Sequence, residues 1–168
     1  MAVRHRLIRT SPQIVWSVLA DGSRYAQWVV GTETTEPEHG HWPDLGAAIR
    51  YTVRLGPVQL ANTTVVRRCV HGEQLELEAR AGMLGTARIA IELRPWGNHC
   101  LVIVDEHPLH GIGGTLHNVA VDAFIQLRHR AMLARLAELC EEVAAEEERR
   151  RPLGQVVVPG TGEGAARA

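Results

Sequence analysis

The chain has 168 residues, 45% of them hydrophobic, with 18 basic side chains against 19 acidic ones. That length suits one domain with a core and room for a pocket, and a net charge of −1 supplies no field that would draw the protein to nucleic acid or an anionic membrane. Every basic residue is arginine, which excludes Schiff-base chemistry, a phosphate-loop lysine and a lysine general base.

The elements follow in chain order. Val3 to Thr10 reads as a first strand, and Ser11-Pro12 opens a helix, with Ser11 a candidate N-cap and Pro12 at the first helical position. Ile14, Val15, Val18 and Leu19 recur at helical spacing. Asp21-Gly22-Ser23 ends that helix, and a second short one carries Tyr25 and Trp28 inward before Gly31 stops it. The pattern then changes to alternation. Thr32 to Glu36 forms a short strand, Pro37 to Asp44 a loop with rim histidines His39 and His41, and Ile49, Tyr51, Val53 and Leu55 oppose Arg50, Thr52 and Arg54. Gly56-Pro57 turns into a strand from Val58 to Val70, and His71-Gly72 makes the next hairpin. Leu75, Leu77 and Ala79 oppose a charged face, a turn at Gly82–Gly85 leads to Ile89, Ile91 and Leu93, and Pro95–Asn98 precedes a last strand, Leu101 to His107. Successive strands joined by short turns predict an antiparallel meander with one apolar face and one charged, wet face.

A helix from about Thr115 to Arg149 is the element available to cover the apolar face. At ~1.5 Å per residue it would be about 50 Å long. Met132, Leu133, Leu136, Cys140 and Val143 form its apolar arc, with Arg128, Arg135, Glu138 and Glu142 off it. The same line projected back gives His129, Ile125, Asp122 and Asn118, a polar end that a straight helix would aim at a cavity. Leu116, Ala120, Ala123 and Leu127 form an alternative stripe, and a bent helix would leave Asn118, Asp122 and His129 in solvent. The chain thus divides into a ligand-binding domain at residues 1–148 and a flexible tail at 149–168, in which Gln155–Val158 could add a strand to a sheet edge.

This order of elements resembles the SRPBCC superfamily, with its START-like or helix-grip fold, and within it the polyketide cyclase/dehydrase-like branch. The resemblance is carried by Ser11-Pro12 with Trp16, Leu19-Ala20-Asp21, Tyr25 and Trp28–Gly31, then Glu106-His107-Pro108 with Gly111, Arg128-His129 and the Leu133/Leu136 spacing. It implies an α+β fold in which a curved antiparallel sheet of about seven strands wraps a long C-terminal helix, with two short helices after the first strand. Members include lipid carriers and aromatase/cyclases, so the likeness speaks for fold more than for role. Members of the branch often carry Asn after the Arg of the last helix, where this chain has His129. No His-His-acid set matches the iron-binding branch.

The leading expectation is a binder of a hydrophobic or aromatic small molecule, lipid- or polyketide-like, held mainly by apolar area removed from water. Its candidate ligand-binding residues are Trp28, Tyr51, Val53, Asn62, Leu77, Ile89, Ile91, Glu106, Asn118, Asp122 and His129, with Ile49 and Leu136 adding to the walls. A second reading is a cyclase/dehydratase-like enzyme moving protons with Asp105 or Glu106, His107, Asp122 and His129. Alternation puts Asp105 with Leu101 and Ile103, and Glu106 with Val102 and Val104, so either carboxylate could face inward, and either could simply pair with a rim arginine. A third is a non-catalytic partner protein with a collapsed pocket.

His107, His110 and His117 are the densest histidine cluster, but their spacing does not impose a tetrahedral site, so neither metal nor other cofactor is expected. Gly111–Gly114 reads as a hinge at a cavity mouth rather than a phosphate loop. Cys69, Cys100 and Cys140 read as reduced, buried thiols. With no membrane-length apolar run and no signal-peptide pattern at Met1–Arg6, the expectation is a soluble bacterial protein of the cytoplasm, a monomer or homodimer without nucleic-acid partners or integral membrane association.

Overall fold

The computed structural model describes residues 2–55, 58–80, 85–110 and 119–150, with the side chains of the last helix described from Arg130 onward. Its elements are β1 (Ala2–Ile8), α1 (Pro12–Leu19), a 3₁₀ turn (Gly22–Arg24), α2 (Tyr25–Trp28), β2 (Thr32–His39), β3 (Ala48–Leu55), β4 (Val58–Val70), β5 (Gln74–Arg80), β6 (Thr86–Trp96), β7 (His99–His110) and α3 (Val119–Arg150). The strands form one seven-stranded sheet in the order β1-β7-β6-β5-β4-β3-β2. Every pairing is antiparallel. This is the helix-grip architecture: a meander closed by β1 beside β7, with α3 packed against β1 and both short helices.

Local chemistry explains the boundaries. The Ser11 hydroxyl accepts a hydrogen bond from the Ile14 backbone N–H at 3.4 Å, capping α1, and Pro12 sits where a missing N–H costs nothing. Asp21 caps the 3₁₀ turn through the Ser23 N–H at 3.0 Å. Gly31 leaves α2 with φ +88, a left-handed conformation that a side chain at this position would strain. β2 runs on to His39, past the Glu36 boundary that its sequence suggests. Pro37 is tolerated because β2 is an edge strand, and the register shifts between Pro37 and His39. The Gly56-Pro57 turn, Met83 and its neighbours 81–84, residues 111–118 and the tail from Arg151 lie outside the described residues.

The two faces of the sheet separate as the alternation requires. On the concave face Ile49, Val66, Leu75, Leu77, Ile91, Val102 and Val104 are all exposed by 2% or less. A bulge between Val66 and Arg68 lets two consecutive residues, Arg67 and Arg68, face solvent before Cys69 returns to the inner side opposite Leu75. The convex face carries a ladder of ion pairs: Arg50 with Glu38 at 2.6 Å, Arg67 and Arg80 with Glu78 at 2.8 and 2.7 Å, Arg88 with Glu76 at 2.7 Å and Arg94 with Glu92 at 3.0 Å. On α3, Met132, Leu133, Leu136, Ala137 and Cys140 are buried, while Arg135, Glu138 and Glu142 are exposed. The i, i+4 recurrence of the apolar set puts it on one stripe facing the sheet.

Candidate functional site

The concave face changes character along the strands. Toward the β6–β7 hairpin it meets α1 and the C-terminal half of α3. There Ile8, Leu93, Cys100, Val102, Leu136, Ala137 and Cys140 are exposed by no more than 4%. Burial pushes the Cys100 thiol up to about 11 and the Cys140 thiol up to about 12, so both stay protonated and inert at neutral pH. Toward the other end the same face carries Val53, Leu60, Ala79, Ala87 and Glu106, all only half-buried.

Between these ends lies a polar and aromatic cluster. Tyr25 of α2 packs its ring against Trp28, Trp42 and Tyr51, with centroids 5.2, 6.1 and 5.3 Å away. Its hydroxyl lies 3.0 Å from that of Thr64, whose side chain is fully buried. The Trp42 indole donates to the Leu19 carbonyl at 3.0 Å and so ties the β2–β3 loop to the end of α1. One strand position pair away from Thr64, Asn62 is 8% exposed and sits opposite Tyr51 in the register. The Asn62 Oδ1 acceptor and the Trp28 Nε1–H donor are both buried without a hydrogen-bond partner. A buried polar atom left in this state costs about 1–3 kcal/mol, so each is a place where a bound group would be stabilised.

Of the residues singled out from sequence, Trp28, Tyr51, Asn62, Leu77, Ile89 and Ile91 are buried on the inner side, and Val53 is half-buried at the open end. Glu106 shares the parity of Val102 and Val104, both fully buried, and stands opposite Ile89, so it belongs to the concave face. Asp105 has the opposite parity, and its carboxylate accepts from His107 Nε2 at 2.8 Å on the outer side. The alternative left by the sequence is thereby decided. Asn118 lies outside the described residues, as do the side chains of Asp122 and His129, and with them the question of which way the polar end of α3 turns. His117 and Gly111–Gly114 lie outside them too, and the side chain of His110 is not described. Among the described residues no three His, Cys, Asp or Glu side chains converge as metal ligands. No described helix is long and apolar enough to cross a membrane.

Sequence reasoning missed Thr64 and Trp42. Thr64 alternates with Asn62 and Val66, which was a usable signal, but its partner Tyr25 is 39 residues away. A separate groove of about 690 Å³ lies outside this interior, lined by Pro12, Trp16, His71, Glu73, Glu92 and Arg94.

A sheet that grips one long helix, apolar on its inner face and carrying buried polar atoms in need of partners, defines the class of helix-grip ligand-binding proteins. The chain belongs to the polyketide cyclase / dehydrase and lipid transport family, whose model matches residues 2–141. That description spans carriers and enzymes that handle hydrophobic ligands in general. No curated protein matches the chain by sequence. Among solved structures it is similar to Ara h 8.0201, with a TM-score of 0.69 at 10% identity over 84% of this chain and 97% of that one. It is also similar to the Zhui aromatase/cyclase from Streptomyces sp. R1128, with a TM-score of 0.65 at 14% identity over 85% and 94% of the two chains. Protein CV1439 from Chromobacterium violaceum gives a TM-score of 0.61 at 19% identity over 82% and 95%. At these identities the likeness establishes the fold alone.

Proposed function

We propose that the protein binds a hydrophobic or aromatic small molecule, lipid- or polyketide-like, between the open end of the concave face and α3. The observation that carries this reading is the pair of buried, unsatisfied polar atoms, Asn62 Oδ1 and Trp28 Nε1–H, among apolar and aromatic walls. One is an acceptor and the other a donor, so the ligand that suits them carries a hydroxyl, or a hydroxyl and a carbonyl, on an apolar frame. Apolar area supplies affinity and the polar pair sets orientation.

The test is a titration with a fluorescent apolar probe, N-phenyl-1-naphthylamine, followed by displacement with 1-naphthol and with naphthalene. The hydroxylated competitor is expected to bind about fivefold tighter, the worth of one hydrogen bond, and Asn62→Leu is expected to erase that preference while keeping probe binding. A wild-type protein that binds no apolar probe overturns the reading.

The inward carboxylate of Glu106 favours a second reading, a cyclase or dehydratase that moves a proton to or from the bound molecule. It requires turnover that Glu106→Gln abolishes, with apolar probe affinity retained.

A further inference from the structure

The sheet has two edges, and they are built differently. β2 closes one side with Pro37 inside the strand and two register shifts, features that disfavour a further strand. β1, at the other side, pairs with β7 over seven consecutive residues without a shift and contains no proline. Its far side is a regular row of backbone groups with no described strand beside it. A groove of about 380 Å³ follows that side, lined by the consecutive residues Val3 to Arg6 and by Arg130 and Leu133 of α3. Residues of both parities line it, so the groove tracks the backbone edge and not one face of the sheet. On the convex flank Val3 and Leu7 are 50% and 44% exposed, beside the half-buried Leu101 and Ile103 of β7. Such a site suits an extended apolar segment, whose backbone pairs along the edge while alternate side chains cover the flank.

The chain itself carries a segment of this kind. Gln155-Val156-Val157-Val158 is β-branched, Pro159 closes it, and no charged residue occurs from Pro152 to Gly162. The course of α3 delivers it to β1. Arg130 and Leu133 lie beside Val3–Arg6, and the Glu141 carboxylate accepts from the Arg9 backbone N–H at 3.3 Å, so α3 runs alongside β1 in the same direction. Its last residue, Arg150, stands about 13 Å beyond Glu141 along the helix axis. The five steps from Arg150 to Gln155 span up to about 17 Å, enough to return to the end of β1. Pro152 and Gly154 suit that reversal. The returning chain runs antiparallel to β1, the orientation of every strand pair in the sheet.

We propose that the free edge of β1 is the docking site of the chain's own C-terminal segment, with Gln155–Val158 adding as an antiparallel strand. A second copy is the competing occupant. Antiparallel pairing of two β1 strands about His5 sets Arg4 of one against Arg6 of the other, and like charges directly opposite are destabilising. The tail segment brings no charge. Its tether also gives it an effective concentration on the order of millimolar, which a strand from another molecule does not reach. The added strand covers Val3 and Leu7 and removes an edge open to pairing with other chains.

Amide hydrogen exchange, read residue by residue by NMR on the full chain, tests this. In an antiparallel edge strand alternate N–H groups face away from the neighbour, and in β1 these stay unprotected unless another strand pairs with them. They are expected to exchange at least about tenfold more slowly in the wild type than in Val156→Pro or in Val157→Pro. Both variants are made because only one of two adjacent N–H groups can face β1. Val156→Thr and Val157→Thr keep strand propensity and should keep the protection. Amides facing β7 should stay protected in every variant, which shows that the domain remains folded. Loss of protection in either proline variant supports the proposal. Fast exchange of the outward β1 amides in the wild type, or protection that survives both proline variants, overturns it. Surviving protection that rises with protein concentration would assign the edge to a second copy instead. Whether the interior binds an apolar probe has no bearing on these outcomes.

Discussion

The two ends of the concave face obey one alternation rule and differ in what it delivers. At the closed end the inward positions are Ile8, Leu93, Cys100 and Val102, capped by Leu136, Ala137 and Cys140, and nothing there is more than 4% exposed. At the open end the inward positions are Val53, Leu60, Ala79, Ala87 and Glu106, half-buried, with Asn62 and Thr64 between. The closed end behaves as a packed core, where removing atoms leaves a void that the neighbours cannot fill. The open end mixes small, polar and incompletely covered residues, a composition that stabilises little by itself and leaves apolar surface for another molecule. A binding fold needs both: rigidity at one end so that the other need not collapse.

The largest expected effect breaks the closed end. Leu136→Ala should cost about 2–5 kcal/mol in urea unfolding, whereas Val53→Ala at the open end should cost under about 1 kcal/mol. Equal losses at the two sites would mean that the ends are packed alike and would remove the basis of the comparison. Thiol accessibility sharpens the same contrast. In native protein Cys69, half-buried, should react with a disulfide reagent well before Cys100 and Cys140, which become reactive only on unfolding.

Next in size is the polar site. Asn62→Leu replaces a buried acceptor lacking a partner with apolar volume, so the ligand-free protein should gain up to about 1 kcal/mol rather than lose stability. A destabilised variant would mean that Asn62 already has its hydrogen bonds in solution. Tyr25→Phe removes the bond to Thr64 and should cost about 0.5–1.5 kcal/mol, read from the same denaturation midpoint.

Much of this arrangement was legible from residue order, because the strands alternate cleanly and α1 has an N-cap, a proline and a stop in sequence. The boundary of β2 was not, since Pro37 ordinarily ends a strand and only an edge position with a register shift accommodates it. The side chosen by Glu106 was hidden because β7 is apolar on both faces: Leu101 and Ile103 outward, Val102 and Val104 inward. The Tyr25–Thr64 contact joins segments 39 residues apart, and no local pattern announces it.

The smallest effect belongs to the convex face, where paired carboxylates make stability depend on pH. The Arg88 guanidinium, hydrogen-bonded to Glu76, holds that carboxyl below its ordinary value of 4.5 against the opposing desolvation. Arg67 and then Arg80 do the same for Glu78. A carboxyl whose pKa is lower folded than unfolded contributes stability above the unfolded value and loses it as pH falls through the folded one. The melting temperature should therefore be insensitive to these pairs between pH 7 and about 5 and fall below about 4.5. Glu76→Gln should shallow that acid slope while costing no more than about 1 kcal/mol at neutral pH, because the pair is partly exposed and screened. An unchanged acid slope in Glu76→Gln would place the acid sensitivity elsewhere, and the inward carboxylate of Glu106 is then the group to substitute next.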